Sequence, residues 1–194
     1  MITHLEGVLV EKSPAHTVID CGGVGYFLNI SLNTFSKLPD SGKLKLYTHL
    51  AIREDAHVLF GFADKPEREL FLQLISVSGI GPSTARMILS SMSPEELYKT
   101  IVNRDLNRLR SVKGVGPKSA ERILVDLKDK LAKEGPPSEI SSGPYNKVRE
   151  EALSALVMLG FAKNIAEKAV DKAIKEKGNA TPVEDIIKTA LNNL

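Results

Sequence analysis

The sequence predicts a multidomain chain in which a small β-barrel is followed by two helical parts. Three observations predict it. Apolar residues alternate with a period of two in roughly the first sixty positions, the period becomes helical after Asp64, and a Pro/Gly/Ser-rich stretch interrupts the helices near residue 135. We therefore expect a barrel domain at 1–63, an all-α domain at 64–134, a flexible linker at 135–145 and a three-helix module at 146–194.

The first domain shows short strands separated by turns. Leu44, Leu46, Leu50 and Ile52 alternate with more polar neighbours, which indicates a strand with one buried face. A glycine-rich turn at 21–25 separates two of the strands. Five strands in about sixty residues favour a closed OB-like barrel, and a small SH3-like barrel is the alternative. The predicted strands are Ile2–Val10, His16–Cys21, Val24–Ile30, a segment around 43–52, and His57–Phe62.

Helical periodicity covers the central domain and the tail. Ser93, with a proline after it and Glu96 three residues later, predicts a capping box, and Thr181 with Glu184 predicts a second one. Gly160 suits a left-handed helix exit. The predicted helices are Glu67–Val77, Pro82–Ser90, Pro94–Asn103, Asp105–Ser111, Pro117–Lys133, Asn146–Met158, Asn164–Glu176, and a last one that begins at Thr181-Pro182.

Composition and charge restrict the class of protein. The net charge is +2, but residues 63–134 carry 13 basic and 10 acidic side chains, so the central domain is the cationic part. No apolar run approaches the length of a membrane span, and the N-terminus lacks a secretory pattern. Cys21 is the single cysteine and the four histidines lack ligand spacing, so we expect no metal site, no cofactor and a cytoplasmic location.

A repeat within the central domain is the strongest feature. Residues 74–89 align with residues 109–124 at an offset of 35, and nine of the sixteen positions are identical. Each copy reads helix, Gly-apolar-Gly-Pro, helix. Glycines permit a tight turn, and proline fits the first turn of the second helix. The helix start then presents backbone N–H groups and the positive end of its dipole, which suits a DNA phosphate.

These turns supply the candidate DNA-binding residues. In the second copy, Lys118 and Arg122 are spaced to flank one phosphate. In the first copy Ser83 brings no charge, so we expect either that this hairpin binds less strongly than the second or that Arg86, one helical turn later, compensates. The alternative is that Gly-x-Gly-Pro merely joins packed helices. The pattern resembles the helix-hairpin-helix family, so the central domain is predicted to be a tandem of that motif. The complete candidate set is Gly79, Ile80, Gly81, Ser83, Arg86, Gly114, Val115, Gly116, Lys118 and Arg122.

The order of domains and several short motifs resemble the RuvA family, the junction-recognition subunits of bacterial branch-migration complexes. The resemblance spans the chain. The stretches that carry it are Gly22–Tyr26, Arg53–Ala56, Gly61–Phe62, both hairpins, Ser119–Arg122 and Ala155–Phe161. One departure is Ser83, where members of the family often have lysine.

This resemblance implies a function and a set of partners. It implies a homotetramer, with one tetramer or two face to face, that binds an open four-way DNA junction without sequence specificity and takes part in recombination and repair. Arg53, Glu54 and Asp55 match an acidic pin at the crossover, although the residues alone also suit a polar hairpin turn. The UBA-like tail would dock a RuvB-type hexameric ATPase through Leu156, Leu159 and Phe161, unless these pack in its core.

Two other classes of function remain open at this point. A DNA glycosylase would need a base-flipping pocket and a catalytic acid or lysine, but Asp126 and Asp129 resemble ordinary exposed charges. The sequence has no GxxxxGK[ST] phosphate loop, so ATP hydrolysis is expected in a partner. We therefore expect a chain that is not an enzyme. A pure adaptor, in which the hairpins only pack, is the second alternative.

Overall fold

The computed structural model describes residues 2–134, 144–178 and 181–193. The N-terminal strands form a closed barrel in the order β1-β2-β3-β5-β4. Neighbouring strands are antiparallel except β3 and β5, which pair in parallel through Asn29–Phe60 and Ile30–Gly61. The OB-like barrel is therefore confirmed. Its strands are β1 (His4–Lys12), β2 (His16–Asp20), β3 (Gly25–Ile30), β4 (Lys43–Ile52) and β5 (His57–Phe62).

A short helix, α1 (Leu32–Lys37), lies between β3 and β4 and was not predicted. Ser31 caps it, because its Oγ accepts a hydrogen bond from the Thr34 N–H at 2.9 Å. With only six residues, the helix gives too short an apolar pattern to recognise in the sequence.

The central domain contains the five predicted helices, with ends that differ by up to two residues from the prediction. The predicted capping box at Ser93 is confirmed: the Glu96 N–H donates to Ser93 Oγ at 3.2 Å, and the Ser93 N–H donates to Glu96 Oε2 at 2.9 Å. The helices are α2 (Lys65–Ser76), α3 (Pro82–Ser91), α4 (Pro94–Val102), α5 (Leu106–Arg110) and α6 (Pro117–Glu134).

Strand β5 joins the barrel to these helices because both of its faces are buried. Leu59 packs in the barrel core, and a Cβ on Gly61 would lie 3.0 Å from Leu28, so this face points inward. Phe60 and Phe62 face the other way and pack against Phe71 of α2. The barrel and the central helices therefore form one compact unit, Met1–Ser138.

The tail, Glu139–Leu194, is a separate unit. It contains α7 (Pro144–Met158), α8 (Lys163–Lys177) and α9 (Val183–Asn192). Arg149 donates two hydrogen bonds to Asp171, which join α7 to α8 and hold the pKa of the Asp171 carboxyl below its usual value.

Two sequence expectations about the tail can now be compared with the structure. Gly160 has φ 99°, as its helix exit predicts. The capping box at Thr181 is wrong, since Thr181 Oγ1 donates instead to the Lys177 carbonyl at 2.8 Å. The predicted linker lies mostly outside the described residues. No described helix is long and apolar enough to cross a membrane.

Candidate nucleic-acid interface

The two central hairpins have the same backbone. Gly79 and Gly114 have φ values of 89° and 88°, in the left-handed region that glycine adopts readily. The residue after each glycine donates its N–H three residues back, from Ile80 to Val77 at 3.0 Å and from Val115 to Val112 at 3.1 Å. The sequence repeat is therefore a structural repeat as well.

The apolar residue of each turn packs inward, as predicted. Ile80 is 4% exposed and Val115 is 6% exposed, and both belong to the core of the central helices. These two side chains consequently attach the turns to the core and do not reach the surface. Around them, the outer side of each turn is formed by glycine backbone.

Each turn leads directly into a helix start. The Ala85 N–H donates to the Gly81 carbonyl at 3.0 Å, and the Ala120 N–H donates to the Gly116 carbonyl at 2.9 Å. No side chain caps α3 at Gly81. The first N–H groups of that helix therefore point toward the outer side of the turn without a capping oxygen, where an anion could accept from them.

At Gly81 and Gly116 the fold itself does not require glycine. Neither lies in the left-handed region, and Gly81 has φ −86° and ψ 167°, which most residues adopt. A Cβ built on either would meet nothing within 4 Å. The space beside the backbone at both positions is therefore open, and a side chain there would obstruct only a molecule outside the chain.

The second hairpin is rich in exposed cations. Lys118 is exposed in the first turn of α6, as predicted. Sequence reasoning missed Arg108, Arg110 and Lys113, which are also exposed and lie within six residues of Gly114. The density of basic residues in this short segment was the signal that could have identified them.

The first hairpin has fewer exposed charges, and its one arginine, Arg86, is half-buried. Ser83 is exposed. One terminal nitrogen of Arg86, NH1, donates to the Ala15 carbonyl at 2.9 Å and to Asn29 Oδ1 at 3.1 Å. One end of this guanidinium is therefore bonded to the barrel, and the expectation that Arg86 compensates for Ser83 stays a prediction.

Arg122 also forms contacts that the sequence did not predict. Its NH1 donates to the carbonyl oxygen of Ser78 at 3.3 Å and to Ser78 Oγ at 3.2 Å. Ser78 directly precedes Gly79, so Arg122 leaves the second hairpin and reaches the turn of the first. The expectation that Arg122 and Lys118 flank the same phosphate stays a prediction.

The acidic residues of the barrel lie on an exposed turn between β4 and β5. Backbone hydrogen bonds between Arg53 and Ala56, at 2.9 and 3.4 Å, close the hairpin, and Glu54 and Asp55 are exposed at its tip. The loop between these two strands is one of the places where OB folds meet nucleic acid.

The apolar candidates in the tail divide between its core and its surface. Leu156 is fully buried, so its predicted role in partner contact is corrected to core packing, and Phe161 is partly buried against the same core. Leu159 is 63% exposed. Its neighbours Val157 and Met158, which the sequence reasoning missed, are 42% and 86% exposed.

Histidines and carboxylates do not converge in the described part of the chain, where no group of three or more could hold a metal ion. His16 stacks on Phe27 with 4.7 Å between ring centroids and contacts Glu11 at 2.6 Å. Asp126 and Asp129 are exposed on α6, as expected for solvated charges.

Comparison with protein families gives three matches along the chain. The RuvA N terminal domain matches residues 1–61, the SAM-like Helix-hairpin-helix tandem matches residues 71–129, and the RuvA, C-terminal domain matches residues 147–194. Together these matches cover the barrel, both hairpins and the tail, in the order that the sequence predicted.

Curated relatives match over their whole length. Proteins from Christiangramia forsetii and Flavobacterium psychrophilum are 52% and 50% identical over 194 residues, with 100% of both chains covered. A protein from Bacteroides fragilis is 52% identical over 202 residues, again with 100% of both chains covered. Each is named Holliday junction branch migration complex subunit RuvA. The chain therefore belongs to the RuvA family.

Proposed function

We propose that this chain binds four-way DNA junctions through phosphate contacts and recruits a ring ATPase for branch migration in recombination and repair. The observation that carries the proposal is the pair of hairpins with one backbone geometry, each with an open glycine beside a helix start. The names of the relatives, which describe a subunit of a Holliday junction complex, support it.

The hairpins favour binding of DNA backbone over reading of sequence. Backbone N–H groups at a helix start fit a phosphate oxygen and carry no information about bases. Two such sites in one domain can contact the phosphates of both strands of a duplex arm. Binding of this kind depends strongly on salt, because counterions are released from the DNA.

A homotetramer would match the symmetry of the junction. Four copies around a four-fold axis provide one tandem hairpin domain for each of the four arms, and closed symmetric assemblies of this kind are common. This part of the proposal rests on the family resemblance. Sedimentation of the chain alone and with a junction tests it, and a monomer in both conditions would contradict it.

We assign the exposed acidic turn to the centre of the junction. Glu54 and Asp55 would there face converging phosphates, whose charge repels carboxylates, and this repulsion would disfavour stacked arms. Replacing Glu54 with Gln and Asp55 with Asn should therefore tighten junction binding. Weaker binding by the double variant would contradict the assignment.

The surface of the tail that we assign to the ATPase is the exposed apolar turn formed by Val157, Met158 and Leu159. Such a patch suits a protein partner. Leu159→Asp should abolish binding to a RuvB-type hexamer, whereas Leu191→Asp, at a leucine of α9 that is 40% exposed, should not. Equal effects of the two changes would refute this surface.

The chain itself would be a non-catalytic subunit, with ATP hydrolysis in the partner and a cytoplasmic location beside the chromosome. A glycosylase is the rival to exclude. Incubation with duplexes that contain uracil or 8-oxoguanine should give no product, and release of either base would overturn this part of the proposal.

The experiment that tests the proposal as a whole is a gel-shift competition in magnesium between a four-way junction and a linear duplex of equal length. We expect a strong preference for the junction. Equal binding would leave only a general duplex-binding protein. A variant with valine at both Gly81 and Gly116 serves as control and should lose binding to both DNAs.

A further inference from the structure

The first hairpin has little positive charge of its own. Between Arg68 and Lys99, the single basic residue is Arg86. Arg86 donates from NH1 to Ala15 and Asn29 of the barrel. If both hairpins bind phosphates, as proposed above, the first would have only this half-buried arginine to add to its backbone N–H groups.

Arg122 is placed to supply that charge from the second hairpin. It is exposed, and its NH1 lies 3.3 Å from the carbonyl oxygen and 3.2 Å from Oγ of Ser78, the residue immediately before Gly79. A guanidinium has five N–H donors in a fixed plane, and the two contacts to Ser78 use one terminal nitrogen. Because Arg122 is exposed whereas Arg86 is half-buried, the donors on the other nitrogens of Arg122 are open to a phosphate at the first turn.

The repeat shows that this arrangement belongs to one copy. Met87 occupies the position in α3 that corresponds to Arg122 in α6, and Lys113 corresponds to Ser78. Thus the first hairpin has no equivalent arginine to extend toward the second turn, and the second turn already has its own lysines at 113 and 118. The second hairpin therefore contributes an arginine to the first, and the first contributes none to the second.

We infer that Arg122 is the cationic phosphate ligand of the first hairpin and takes the place of the lysine absent at Ser83. This inference rests on the proposed binding of DNA phosphates by both hairpins. The alternative is that Arg122 only braces the two turns against each other, in which case its charge would not matter for DNA.

Ethylation interference on a duplex arm tests the inference directly, because it shows which phosphates a variant has stopped contacting. Gly81→Val identifies the phosphates bound by the first hairpin, and Gly116→Val those bound by the second. Arg122→Gln should remove interference at the first set. Loss confined to the second set, equal loss of both, or no loss would overturn the inference. If the unchanged protein shows no interference at all, the proposed function itself fails.

A charge-rescue experiment separates a ligand from a brace. Arg122→Gln should weaken duplex binding by on the order of tenfold, as expected for loss of a charged hydrogen bond. Ser83→Lys should recover most of that loss in the Arg122→Gln protein. In the Lys118→Gln protein, the matched control, Ser83→Lys should increase affinity no more than in the unchanged chain. The same gain in all three backgrounds would show that Arg122 does not serve the first hairpin.

Discussion

The two hairpins share one backbone but differ in their surroundings. The first is fixed to the barrel: Arg86 of α3 bonds to Ala15 and Asn29, and Ser90 Oγ accepts from the Leu32 N–H at 3.1 Å. The second is surrounded by exposed cations, including Lys113 and Lys118. The first hairpin is therefore bonded to the barrel domain, and the second carries more exposed positive charge.

This difference shows that the backbone geometry of a hairpin and the charge of its surface can vary separately. Positions identical in both copies include the turn glycines and buried residues such as Ala85 and Ala120. Most of the positions that differ are exposed or half-buried. The two copies therefore share the turn glycines and the buried residues that the fold requires, whereas their exposed side chains differ.

The largest effect should come from loosening the contact between the barrel domain and α2, the helix that leads into the first hairpin. Glu67 of α2 is fully buried and accepts hydrogen bonds from Ser31 Oγ and, at 2.7 Å, from Thr34 Oγ1 of the barrel domain. Glu67→Ala leaves both hydroxyls without this acceptor and should lower the free energy of unfolding by about 2–4 kcal/mol. Urea unfolding measures it.

Glu121→Ala, at an exposed glutamate of α6, is the control for that change and should alter stability by less than about 0.5 kcal/mol. If Glu67→Ala were as mild as the control, the hydroxyl contacts would not be an anchor.

The shared backbone predicts equal penalties at the two turns. Gly79→Ala and Gly114→Ala each place a Cβ in the left-handed region, which costs about 1–2 kcal/mol. Thermal or urea unfolding should show both losses, equal to within about 0.5 kcal/mol. A loss at one position only would mean that the turns are not equivalent.

The unequal charge predicts unequal effects on DNA binding. Lys118→Gln should weaken junction binding about fivefold to tenfold and reduce the slope of log affinity against log salt by about 0.9. Ser83→Gln, at the matching position of the first copy, should leave both nearly unchanged. Titrations at several salt concentrations compare them. Similar changes in the two variants would remove the distinction between the hairpins.

The smallest expected effect is a dependence of stability on pH that arises from the buried Glu67 carboxyl. Burial raises the pKa of the Glu67 carboxyl above its ordinary value of 4.5. The folded state therefore holds this proton more tightly than the unfolded state. The contribution of Glu67 to stability consequently falls as pH rises from the ordinary pKa through the raised pKa of the folded state. The difference in stability between Glu67→Gln and the unchanged chain should shift in favour of the variant as pH rises. A difference independent of pH would contradict the raised pKa.

Much of this architecture is predictable because local patterns determine it. Alternating leucines identify β4, and the Gly-x-Gly-Pro repeat identifies both turns, because such turns require glycine and proline at fixed positions. Helix α1 escaped prediction because its six residues give too short an apolar pattern to recognise, although its cap, Ser31, is local.

The ends of long side chains could not be predicted in the same way. Arg86 bonds to an oxygen 71 residues away, and Arg122 to one 44 residues away, so tertiary packing decides both destinations. In the tail, Leu156 and Leu159 are equally apolar in sequence, but Leu156 lies on the buried face of α7, whereas Leu159 follows the end of the helix and is exposed.

The central claim is that both hairpins bind DNA through bare backbone at Gly81 and Gly116. The most direct test is junction affinity against salt for Gly81→Val and Gly116→Val, with Ser91→Val as a control for added bulk at the other end of α3. We predict that each glycine variant stays folded, binds on the order of tenfold or more weakly, and has a shallower salt slope. Unchanged affinity and slope in both folded variants would contradict the claim and leave the turns as connections between packed helices.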